Sequence, residues 1–151
     1  MKALMIAALL ATTACTGAVA ENPVRAVSLA DISGNMTFNQ YRASKGLKKL
    51  SPNPRLTAAA RAHMRDMMRN GFFGHDGTDG SLVGERVTAQ GYGWCEVSEN
   101  LGKGLATERQ AVAAWRTSQS HDWAMLRGDV SEYGLAHGKG GYWVLIVAQP
   151  C

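Results

Sequence analysis

The chain has 151 residues, 46% of them hydrophobic, with 16 lysines and arginines set against 12 aspartates and glutamates for a net charge of +4. That length suffices for one hydrophobic core and makes several domains unexpected. The bases are scattered among acids except for Lys48 and Lys49, and there is neither an arginine-rich run nor an aromatic ladder. Nucleic acid is therefore not an expected partner, whereas a peripheral attraction to an anionic envelope surface is compatible with the mild positive charge.

In chain order, Lys2 and the apolar stretch Ala3 to Ala14 read as an export signal, too short to span a bilayer as a mature helix. Cleavage is expected after Ala20, at the small-x-small site formed by Ala18, Val19 and Ala20, which makes residues 1–20 a signal peptide. A competing site, Thr12-Thr13-Ala14-Cys15, is a poor lipobox; its use would put lipid on Cys15 and tether the domain to a membrane. Either route leaves Cys95 and Cys151 as an even pair in an oxidising compartment, so a disulfide between them is expected, with two free or buried thiols as the alternative. Residues 21–35 lack sustained periodicity and read as a linker, and residues 36–151 form the domain. No second apolar run is long enough for a transmembrane helix.

Helical pattern begins near Met36 and stops at Gly46, with Phe38, Tyr41 and Leu47 facing inward. Asn53 and Pro54 supply an N-cap and first-turn proline for a second helix that Gly71 closes. Leu56, Ala60, His63, Met64 and Met67 make its core stripe. His63 on that stripe reads as a packed histidine with its polar edge satisfied, not as a ligand. A third helix runs from Leu82 to Gln90 and ends at Gly91. Thr107 and Gln110 make a capping-box pattern for a helix carrying Ala111, Val112, Trp115 and, near its end, Ser118. Val97 to Leu101, Tyr133 to Ala136 and Tyr142 to Gln149 read as strands, the last two joined by a glycine-rich turn at Gly138 to Gly141. Helices both before and between the strands, without regular alternation, argue for an α+β fold.

Three short motifs carry the chemistry: FFGH ending at His75, SENLG with Glu99, and AAWRTSQSHDWAML through Ser118 and His121. Together with FNQYRASKGLKKLSPNPRLTAAARAHMRDM, GERVTAQGY and GYWVLIVAQ, in this order, they resemble the CAP superfamily, also called SCP/TAPS: secreted cysteine-rich proteins, antigen 5 and pathogenesis-related 1 proteins. The bacterial branch fits best, and the resemblance covers nearly everything after the leader. It implies a three-layer α-β-α sandwich whose cleft is lined by His75, Glu99 and His121. The fourth family position, usually a second glutamate three residues after the tryptophan, is Ser118 in this chain.

The expected function is non-enzymatic binding of a small or lipid-like envelope ligand in a cleft lined by His75, Glu99, His121 and Ser118, by a monomer that requires no cofactor. Two hydrolase alternatives act on peptide or cell-wall material. In one, His75, Glu99 and His121 hold zinc or another divalent metal; Glu99 cannot then also be the base, and Asp76 is the nearby candidate. In the other, Ser118, His121 and Glu99 form a serine-type triad, without a G-x-S-x-G elbow to support it. A further alternative is a surface interaction module in which the trio is a hydrogen-bonded structural cluster, aided by the Asn100 amide.

Overall fold

A computed structural model describes residues 35–151. The expected signal peptide, both candidate cleavage sites with Cys15, and all of the expected linker except Asn35 lie outside the described residues. Five helices and four strands follow in chain order among them: α1 (Phe38–Ser44), β1 (Ser51–Pro52), α2 (Pro54–Asn70), α3 (Val83–Ala89), β2 (Trp94–Gly102), α4 (Glu108–Trp115), α5 (Gln119–Leu126), β3 (Glu132–Gly138) and β4 (Tyr142–Pro150). No helix among them is long and apolar enough to cross a membrane.

The strands form one mixed sheet in the order β1-β3-β4-β2. β1 runs parallel to β3, and β4 runs antiparallel to both β3 and β2. Residues 142–148 of β4 are buried on both faces, and alternation divides them between two cores. Trp143, Leu145 and Val147 pack with Phe38, Tyr41, Ala111, Val112, Trp115 and Met125 of α1, α4 and α5. Val144, Ile146 and Ala148 pack with Leu56, Ala60, Met64, Met67 and Val87 of α2 and α3. The α-β-α sandwich follows directly from that division.

The local signals act where they were expected. The Asn53 side chain accepts from the Arg55 and Leu56 amides, and Gly71 closes α2 at φ 68°, a left-handed conformation that costs glycine little. The expected stripe on α2, His63 included, is buried, whereas Leu47 is only half-buried. Cys95 and Cys151 are joined by a disulfide, with their Cα atoms 4.8 Å apart.

Three details differ. Thr107 accepts from the Gln110 amide, but the Gln110 carboxamide reaches past it to the Ala106 amide. The expected helix through Ser118 is broken: α4 ends at Trp115, and Ser118 is the extended N-cap residue of a separate α5. The Thr117 hydroxyl bonds back to the Ala114 carbonyl, and such local pairing competes with helix continuation. α5 itself was not expected, because its buried residues, Ala124 and Met125, are adjacent and make no stripe. Its end is held by Arg42, whose buried guanidinium donates to the Met125 and Arg127 carbonyls.

Candidate functional site

β2 borders the sheet, and its alternation sends the neighbours Glu99 and Asn100 to opposite faces. Asn100, 2% exposed, donates from Nδ2 to the His121 carbonyl at 2.9 Å and so fixes the first turn of α5 against the strand. Glu99 points to the α2/α3 side, where its side chain is 2% exposed.

Two elements reach Glu99 there. α3 approaches β2 because Gly84 leaves room for the Trp94 indole; a Cβ at that position would lie 2.4 Å from it. The approach brings Arg86 within reach, and its Nη2 donates to Oε2 of Glu99 at 2.9 Å and to Oε1 at 3.1 Å. From the other direction, His75 Nδ1 donates to Oε1 at 2.9 Å. A carboxylate only accepts, so Nδ1 carries the proton, and in the neutral ring Nε2 is left as an acceptor. The His75 side chain is 56% exposed. The arrangement is thus a solvent-facing imidazole mounted on a buried carboxylate that an arginine holds in place.

The loop carrying His75 is pinned at both ends. Buried His63 donates from Nε2 to the Gly74 carbonyl at 2.9 Å, one residue before His75. Asp66 accepts from the Thr78 amide at 2.8 Å and from its hydroxyl at 2.7 Å. His63 Nε2 also lies 3.9 Å from Glu99, too far for a hydrogen bond. Its role is to position the loop, as a packed histidine should, but its polar edge is only half satisfied: the buried Nδ1 has no hydrogen-bond partner among the described residues.

The three imidazoles differ electrostatically. The hydrogen bond to Glu99 raises the His75 pKa above its ordinary value against the opposing effect of burial. Burial lowers the His63 pKa, partly offset by Glu99. Burial lowers that of His121 as well, and the charge of His75 adds to the effect, so these two histidines sense one another. Asp76 is exposed and contributes only a minor raising influence on His75.

Ser118 is half-buried, and its hydroxyl pairs with that of Ser120 at 3.2 Å. No hydrogen bond joins Ser118 to His121 among the described residues, so the contact that a serine triad requires is not made. The trio does not fit a zinc shell as arranged. Glu99 already accepts from Arg86 and His75, and a metal there would sit beside a guanidinium; no three His, Cys, Asp or Glu side chains among the described residues are grouped to hold an ion. Arg86 is the member that motif reading missed. It lies inside the GERVTAQGY stretch, and the signal was an arginine on the same inward face of α3 as Val87.

The model of the cysteine-rich secretory protein family, CAP, matches residues 37–149. YkwD of Bacillus subtilis is 27% identical over 103 residues, which are 68% of this chain and 40% of YkwD. The membrane protein YlbC of the same organism is 26% identical over 104 residues, 69% of this chain and 30% of its own length. This chain therefore spans less than half the length of either relative. Among solved structures, an extracellular SCP-domain protein of Bacillus anthracis superposes with a TM-score of 0.71 at 20% identity, covering 74% of this chain and 37% of that one. An outer surface protein of Borrelia burgdorferi superposes with a TM-score of 0.70 at 19% identity, covering 76% of this chain and 87% of that one. At such identities the superpositions speak for the fold alone.

Proposed function

The chain belongs to the cysteine-rich secretory protein family, CAP, and from that premise we propose that it is an exported bacterial CAP domain that binds a small, lipid-like ligand at the His75 face without converting it. The observation that carries this reading is the exposed His75 imidazole, held in one orientation by a buried Glu99 that Arg86 anchors in turn. Protonated more readily than a free imidazole, the His75 ring offers Nε2–H as a fixed donor, with His121 near enough to feel its charge, and this suits the anionic head of an amphiphile. Large exposed apolar side chains lie close in sequence to these groups: Phe73 two residues before His75, Leu82 at the start of α3, and Trp123 two residues after His121. They are suited to the apolar end. The disulfide favours an oxidising compartment. Work outside the cytoplasm also agrees with the extracellular and outer-surface descriptions of the two structural neighbours.

The test is saturable binding of a fluorescent fatty acid and of a lysophospholipid by the exported protein. His75→Ala should weaken binding about tenfold, the worth of one hydrogen bond to a charged group, while circular dichroism stays unchanged. Failure of the parent protein to bind either probe would overturn the reading. Ester cleavage that disappears with His75→Ala would replace it with the hydrolase alternative.

A further inference from the structure

The flank of α2 away from His75 carries a concave surface. Gly134 and Gly138 let α2 lie almost directly on β3: a Cβ at Gly134 would meet the Leu56 and Thr57 backbone at 2.2 to 2.6 Å, and one at Gly138 would meet the sulfurs of Met64 and Met68 at 2.7 to 2.9 Å. This close approach leaves Arg61 and Arg65 overhanging the edge of the sheet. β1 pairs only with Glu132 and Tyr133, so the rest of β3 has no strand neighbour on that side. A hollow of about 290 Å³ forms there, lined by Arg61, Met64, Arg65, Leu135, Ala136 and His137. A second hollow of about 480 Å³, running toward Pro52 and Asn53, shares Arg61 as a wall.

The charge in this groove is unbalanced. No acid lines either hollow. Asp66, the acid next along α2, is turned to Thr78 and Asn70. Elsewhere Arg42, Arg86 and Arg127 donate to carbonyls or carboxylates, whereas no ion pair or hydrogen bond engages the Arg61 or Arg65 side chain among the described residues. One helical turn apart, with Cβ atoms about 6 Å from one another, their side chains can reach one anion or grip neighbouring ones. The exposed His137 ring takes no part in the grip, because it is stacked on Trp143 at a centroid distance of 4.9 Å, on the face of the sheet away from α2.

We propose that the groove between α2 and the free edge of β3 is a binding site for a phosphate-bearing anion, gripped by Arg61 and Arg65. Planar guanidinium groups match phosphate oxygens two at a time, and the wide, open hollow admits either a free phosphate compound or the headgroup of a phospholipid. The site is separate from the His75 face, so its success or failure does not depend on the ligand bound there.

The full-length exported protein is tested against inorganic pyrophosphate by calorimetry, and against phosphatidylcholine vesicles with and without phosphatidylglycerol by co-sedimentation. Arg61→Gln/Arg65→Gln is compared with Lys49→Gln/Arg69→Gln, which removes equal charge from outside the groove. The groove variant should lose about tenfold or more in affinity and the control less than about twofold. Pyrophosphate binding that also displaces the protein from vesicles supports the site with free phosphate as a sufficient ligand. Binding to phosphatidylglycerol vesicles alone supports it with a lipid headgroup as the source. The proposal is overturned if the parent protein binds neither probe, or if the control variant loses as much as the groove variant, since diffuse charge then accounts for the binding.

Discussion

Replacing Arg86 with methionine removes the permanent cation that pairs with Glu99 and keeps the apolar volume of the side chain. In the parent protein both partners are almost fully enclosed, Arg86 at 8% and Glu99 at 2% side-chain exposure, so solvent screens the pair little. The variant would bury a carboxylate with no partner but the His75 N–H, and breaking a buried pair in this way costs about 3–5 kcal/mol. With about 4 °C of melting midpoint per kcal/mol for a domain of this size, the fall should be about 12–20 °C. Urea unfolding followed by tryptophan fluorescence near neutral pH measures the loss, provided the slope is unchanged. The double variant Arg86→Met/Glu99→Gln removes the buried charge as well and should recover stability relative to Arg86→Met. A loss below about 1 kcal/mol in the single variant, or no recovery in the double, would show that Arg86 does not hold Glu99 as argued.

The imidazoles should titrate separately by NMR, His75 above the ordinary 6.5 and His63 and His121 below it; the reverse order would contradict the hydrogen-bond assignment at Glu99. For His75, whose folded pKa is raised, the linked stabilisation is present below the unfolded pKa and is lost as pH rises through the folded value. His75→Gln should therefore cost more stability near about pH 5 than near about pH 9. For His63 the sign is opposite: its folded pKa is lowered, so its contribution is present above the unfolded value and lost as pH falls through the window beneath it. His63→Gln should flatten the acid limb of the stability curve. The unreduced protein should weigh two protons less than the reduced chain, and Cys95→Ser/Cys151→Ser should lower stability by about 2–4 kcal/mol; two alkylatable thiols in the native protein would contradict the bridge. Gly134→Ala would drive a Cβ to 2.2 Å from the Leu56 backbone and should cost about 1–3 kcal/mol by denaturant unfolding. Gly93→Ala meets nothing within 4 Å and should cost less than about 0.5 kcal/mol; equal losses would undo the close-approach argument.

What could be read from the chain tracks how local each signal is. α2 was legible at both ends because Asn53, Pro54 and Gly71 act on their own backbone. β4 was legible because a fully buried strand is an unbroken apolar run. The division between α4 and α5 was not, since Thr117 and Ser118 resemble helix residues in composition and reveal the break only through their hydrogen bonds. His75 and Glu99 came from motif order, but their direct contact is a product of the fold. Arg86 was hidden because an arginine in an amphipathic helix ordinarily faces water, and only the packing of Gly84 under Trp94 turns it inward. The hollow beside Arg61 and Arg65 was equally hidden, since it exists only because β1 stops after two residues and leaves β3 uncovered.

The strand at the middle of this sheet is the last of the four in chain order. Until Tyr142–Pro150 arrives, β2 and β3 have no partner in common, the α2/α3 core lacks Val144, Ile146 and Ala148, and the Trp115 side of the sandwich lacks Leu145 and Val147. A chain made from its amino end therefore stays uncommitted until late, because the long-range contacts that reward loop closure become available only at the finish. The same strand leads into Cys151, so the disulfide to Cys95 closes only when β4 lies beside β2. Folding and covalent locking thus become one late event.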